Sequence, residues 1–105
     1  MISPLTVLEI SSSVENISQC KYMILCDGGM SSTIKAMWEI SGNQLCEIDK
    51  SKWSDFNWEG VYNSKIRWGY LKDNFVQINI RTGTRFSVYK TNGISVQRIQ
   101  EINLV

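Results

Sequence analysis

Apolar and polar positions alternate with a period of two through the last third of the chain. In residues 65–71, Ile66, Trp68 and Tyr70 fall on one side and Lys65, Arg67 and Gly69 on the other. Lys72-Asp73-Asn74 reads as a turn, and residues 75–80 follow with Val76, Ile78 and Ile80 in phase. A second turn, Arg81-Thr82-Gly83-Thr84, leads to residues 85–90, where Phe86 and Val88 share a side. Asn92-Gly93 is a strong hairpin signal because both residues accept a positive φ, and Ile94 and Val96 continue the alternation beyond it. This spacing predicts a four-stranded antiparallel meander with one apolar and one solvated face.

The front half is less periodic. Residues 5–10 read as a strand, and Ser13 to Ile17 as the opening of a short capped helix. Residues 21–26 form an apolar run that predicts a buried strand ending at Asp27-Gly28-Gly29. Residues 30–40 fit two patterns: Ile34, Ala36, Trp38 and Ile40 alternate, whereas Met30, Ile34, Met37 and Trp38 fit a helical stripe. Ser41-Gly42-Asn43 before residues 44–48 predicts a hairpin and favours the strand. Residues 50–62 carry Trp53, Phe56 and Trp58 without a period and read as a loop pinned by aromatics. Val96, Ile99 and Ile102 suit either a last helical turn or a bent edge strand.

These elements predict a mainly β fold, with α+β as the alternative. The expected architecture is a small antiparallel meander forming a bent sheet or an SH3- or OB-like barrel, with one or two short helical turns. At 105 residues the chain is sized for a single domain spanning 1–105. Four tryptophans and an apolar fraction of 43% supply the burial that a folded core requires.

Charge divides along the length. Residues 1–60 hold Glu9, Glu15, Asp27, Glu39, Glu47, Asp49, Asp55 and Glu59 against Lys21, Lys35, Lys50 and Lys52. Beyond them, Lys65, Arg67, Lys72, Arg81, Arg85, Lys90 and Arg98 stand against Asp73 and Glu101. A chain of net charge +1 therefore joins an acidic front to a basic, aromatic-rich back. Such halves could pair head-to-tail between copies, so a salt-sensitive homodimer is one expectation. No apolar run approaches membrane-spanning length and the first residues do not read as a signal peptide. With three cysteines that cannot all pair internally, the expectation is reduced thiols in a cytoplasmic protein without membrane association.

Candidate chemistry is sparse. The chain has no histidine, which removes the commonest general base and metal ligand. Glu39, Glu47 and Asp49 could face one another across the predicted hairpin as an acid–base set, although a solvated strand face explains them more simply. Cys26-Asp27-Gly28-Gly29-Met30-Ser31-Ser32 resembles the Cys-x-x-Gly-Met-Ser phosphocysteine loop of the IIB proteins of the sugar phosphotransferase system. The resemblance covers seven residues. The parallel α/β sheet and alternating helices it implies have no counterpart in this pattern, so Gly28-Gly29 is read as a turn and Cys26 as a small buried hydrophobe. Three dispersed cysteines do not supply a structural zinc site, and no phosphate-binding glycine pattern occurs. The expectation is a protein that is not an enzyme and uses no metal or cofactor.

The meander's outer face is the strongest candidate site. Strand phase places Lys65, Arg67, Phe75, Gln77, Asn79, Arg85, Ser87, Tyr89, Ser95 and Gln97 there, away from the apolar set. Of these, Lys65, Arg67, Phe75, Gln77, Arg85 and Tyr89 combine cations, an amide and aromatics suited to partner binding. Trp53, Phe56 and Trp58 form a candidate binding loop, with plugging of a barrel end as the structural alternative. The expected function is a small non-catalytic inhibitor or adaptor, of the kind phages and mobile elements encode, docking on a protein partner. The alternative is a module binding single-stranded DNA or RNA; the acidic front half weighs against it by cancelling the net charge.

Overall fold

Ser3 and Pro4 start a helix where residues 5–10 read as a strand. The computed structural model, which describes residues 3–27, 34–55, 58–59, 70–71, 75–91 and 96–104, places α1 at Pro4–Ser13. The Ser3 hydroxyl accepts from the Thr6 N–H at 3.2 Å, and Pro4 occupies the first turn, where a missing N–H costs nothing. Val7, Ile10 and Val14 follow at helical spacing and are buried. Ser11, Ser12 and Ser13 return their hydroxyls to Leu8 and Glu9 carbonyls, and extended backbone at Val14 ends the helix. The helix expected from Ser13 to Ile17 is displaced accordingly: Asn16 is left-handed at φ 56° and a 3-10 turn covers Ile17–Gln19.

Six strands form one mixed, mostly antiparallel sheet that does not close into a barrel. They are β1 (Tyr22–Asp27), β2 (Ile34–Ser41), β3 (Gln44–Glu47), β6 (Phe75–Ile80), β7 (Arg85–Thr91) and β8 (Val96–Asn103). Two-residue β4 (Trp58–Glu59) and β5 (Tyr70–Leu71) pair separately. The order β3-β2-β1-β6-β7-β8 sets two three-stranded meanders side by side, joined by the parallel pair β1–β6. Charge division in sequence thereby becomes two halves of one sheet, with Glu39 and Glu47 toward one end and Arg85, Lys90 and Arg98 toward the other.

Several expectations hold. β1 covers the apolar run, β2 and β3 form the predicted hairpin, and Gly42 supplies its positive φ of 62°. β6, β7 and β8 reproduce the last three strands of the meander. The fourth does not join them: the neighbour of β6 is β1, and the described part of residues 65–71 is β5, paired with β4. Residues 50–55 are a 3-10 turn, Lys50–Asp55, rather than an irregular loop.

One sheet face packs against α1. Val7, Ile10 and Val14 bury with Met23, Leu25, Trp38, Val76, Ile78, Phe86, Val88 and Ile102. The inward phase of Val76, Ile78, Phe86 and Val88 matches the alternation, and Ile80 lies half-buried at the margin. Gln100 of β8 secures the helix end, its Nε2 donating to the Ser13 carbonyl at 2.6 Å and its Oε1 accepting from the Glu15 N–H at 3.1 Å. On the opposite face Ile24, Cys26, Ile34, Met37 and Trp53 make a second core.

Candidate functional site

That opposite face changes character across the sheet. Under β1 and β2 it is apolar; under β6, β7 and β8 it is polar. Strand period brings Gln77, Asn79 and Arg81 into line, and pairing sets Gln77 beside Tyr89 and Asn79 beside Ser87, with Glu101 beyond. Gln77, Asn79 and Ser87 are nonetheless buried, at 2%, 5% and 1% exposure. The expectation that they lie on a solvated face is corrected: alternation gave their direction, but the face is covered there. Burial demands partners, and Gln77 Nε2 donates to Asn79 Oδ1 at 2.9 Å.

From this floor a charged network rises. The Arg81 Nε donates to Ser87 Oγ at 3.0 Å and its Nη2 to the Tyr89 hydroxyl at 2.6 Å. Ser87 donates onward to Glu101 Oε1 at 2.7 Å. Arg85 Nε lies 3.4 Å from Glu101 Oε2, and Arg98 Nη1 lies 3.4 Å from Oε1. The Ser87 hydrogen bond, then the bond and charge of Arg85 and the charge of Arg98, hold the Glu101 carboxyl below its ordinary range, against a smaller upward push from desolvation. The side chains of Arg85 and Arg98 remain 58% and 60% exposed. Two guanidinium groups thus meet one carboxylate and a third reaches it through Ser87, leaving local positive charge in excess.

A bulge makes this clustering work. The register runs Val88↔Gln100 and then Tyr89↔Arg98, so β8 carries one extra residue at Ile99. It brings Arg98 and Glu101, three apart in sequence, to the same side of a strand.

Of the six partner-binding residues expected from sequence, Arg85 is exposed, Tyr89 is half-buried and Gln77 is buried. Phe75 opens β6, but its side chain lies outside the described residues, as do Lys65 and Arg67 altogether. Arg81, Arg98 and Glu101 complete the cluster and were missed. Arg81 reads in sequence as a turn residue, yet the period running through Gln77 and Asn79 reaches it. The bulge masked the phase of Arg98.

Trp53 does not belong to an exposed binding loop. It is 6% exposed, its indole N–H donates to the Ile48 carbonyl at 3.0 Å, and it fills the second core. Phe56 and the side chain of Trp58 lie outside the described residues. Glu39 and Glu47 do not converge, because pairing of Glu39 with Cys46 and Trp38 with Glu47 sends them to opposite faces. Cys26 is buried at 2% in the second core, as expected of a small hydrophobe. Burial pushes the Cys20 thiol up, away from thiolate reactivity, against a lesser opposing effect of Lys90. Among the described residues no group of three or more metal-ligating side chains occurs, and no helix is long and apolar enough to cross a membrane.

One groove lies outside this network. It runs between α1 and the β2–β3 hairpin, is about 580 Å³ in volume, and is lined by Leu5, Leu8, Ile17, Ile40 and Leu45 with polar residues that include Glu9 and Gln44.

Comparisons with family models, curated proteins and solved structures found no match.

Proposed function

We propose that this is a non-catalytic binding protein, an inhibitor or adaptor, that docks on a partner protein through the cationic face of β7 and β8. The observation that carries the reading is the grouping of Arg81, Arg85 and Arg98 around Glu101, two of the arginines being well exposed. Arginine with tyrosine is a typical anchor composition at protein interfaces, and an excess of local positive charge favours an acidic partner surface. The absence of histidine from the chain supports a non-catalytic role.

Binding of single-stranded nucleic acid is the competing reading, and one feature argues against it. Single-strand binders offer open aromatic faces on which bases stack. Tyr89, the candidate aromatic of this face whose side chain is described, is half-buried and tied through its hydroxyl to Arg81. Titrating labelled single-stranded DNA and RNA oligonucleotides across salt concentrations tests the choice. The expected result is no saturable binding at physiological salt. Tight binding that falls by orders of magnitude with added salt, through counterion release, would support nucleic acid instead.

A further inference from the structure

Arg81 differs from the other two arginines of the face. Arg85 and Arg98 both meet Glu101, whereas Arg81 contacts only two hydroxyl oxygens, Ser87 Oγ and Tyr89 Oη, among the described residues. Those contacts occupy Nε and one N–H of Nη2, along one edge of the guanidinium. Both N–H groups of Nη1 and the second of Nη2 are left, and they form the end fork whose spacing matches the two oxygens of a carboxylate. Tyr89 accepts from Arg81, so its own hydroxyl proton is available beside that fork.

The fork is held before any ligand arrives. The Arg81 N–H donates to the Arg85 carbonyl at 2.9 Å, closing the β6–β7 hairpin. Thr82 Oγ1 accepts from the N–H groups of Thr84 and Arg85 at 3.2 and 3.1 Å, fixing the turn. Ser87, the second anchor, is fully buried and itself committed to Glu101. An arginine oriented in this way loses less side-chain freedom on binding than a free one.

We propose that Arg81 and Tyr89 are the recognition point for an Asp or Glu carboxylate on an acidic segment of the partner protein. The guanidinium end takes both oxygens and the Tyr89 hydroxyl donates a further bond. A carboxylate suits the position better than a phosphate dianion, because Glu101 lies one hydroxyl away and its charge opposes the second negative charge. The proposal rests on the reading that this face binds protein, and adds which residues choose the ligand.

A labelled Glu-rich peptide, with its Gln analogue as control, is titrated against the intact protein and three variants whose thermal melts are checked first. Arg81→Lys keeps the charge but removes the fork, and is expected to weaken peptide binding about tenfold, the worth of one charge-assisted bond. Tyr89→Phe keeps the ring and is expected to weaken it about threefold to tenfold. The double variant Arg85→Glu with Arg98→Glu tests the face as a whole. If that variant loses binding while Arg81→Lys and Tyr89→Phe match the wild type, the fork is overturned and the face reading stands. If no variant changes binding, both fall. Failure of the wild type to prefer the Glu peptide over its Gln analogue, or ready displacement of the peptide by inorganic phosphate, also overturns the proposal.

Discussion

The buried hydroxyl of Ser87 on β7 donates to the Glu101 carboxylate of β8 at 2.7 Å, and this hydroxyl joins the floor of the polar face to its charged rim. It accepts from Arg81 in turn, so an uncharged side chain passes positional order between a cation and an anion that do not touch. The clearest consequence is a pH effect. Glu101 has its carboxyl held down in the folded state, so the stability it contributes is complete above the unfolded carboxyl's pKa of about 4.3 and is lost as pH falls through the lower folded value. Denaturation followed from pH 6 toward 2 is expected to show a smaller acid-side loss for Glu101→Gln than for the wild type (pH values of roughly this range bracket the carboxyl titration). Parallel acid profiles for the two proteins would mean that Glu101 is not held as described.

Helix α1 covers the sheet through one stripe and exposes another. Ile10 is 1% exposed and Leu5 72%. Ile10→Ala is expected to cost about 2–5 kcal/mol, whereas Leu5→Ala should fall within about 0.5 kcal/mol of the wild type. Chemical denaturation of the two variants measures both values. Equal losses would show that Leu5 is covered as well.

Much of this was legible from the chain, and the failures have physical causes. Val76, Ile78, Phe86 and Val88 announced the core face because alternation is a local property of a strand. The parallel contact of β1 with β6 left no such mark, since it joins segments about fifty residues apart. Residues 5–10 read as a strand, whereas the Ser3 cap and Pro4 in the first turn start a helix there. Val96, Ile99 and Ile102 make no helical turn: they lie on the bulged edge strand β8, where Ile102 enters the core and Ile99, at the bulge, is exposed. Gln77, Asn79 and Ser87 looked solvent-facing because polarity predicts exposure only where nothing covers the face.

Gln100 clamps the end of α1 with both halves of its amide. Its replacement by Ala is expected to cost about 1 kcal/mol, the usual scale for exchange of such bonds with water. Hydrogen exchange at the Glu15 amide should quicken in the same variant. Unchanged exchange there would show that water or the neighbouring turn holds this junction instead.

None of the three cysteines forms a disulfide; Cys20 and Cys26 are buried and Cys46 is exposed on the edge strand β3. A thiol reagent added to the native protein is expected to modify Cys46 rapidly and the other two only on unfolding. Mass spectrometry of the labelled peptides checks the order. Rapid labelling of Cys26 in the native state would contradict its place in the second core.

The central claim, that a partner protein docks on the face of β7 and β8, is tested most directly by photo-crosslinking in the native host. A crosslinking residue is placed at position 98, whose side chain is well exposed on that face, and separately at position 12, exposed on α1 beside the groove. The account predicts a product from position 98 that resists nuclease and is removed by protease, diminished by Arg85→Glu, with little from position 12. A nuclease-sensitive product, or one formed only from position 12, would contradict it.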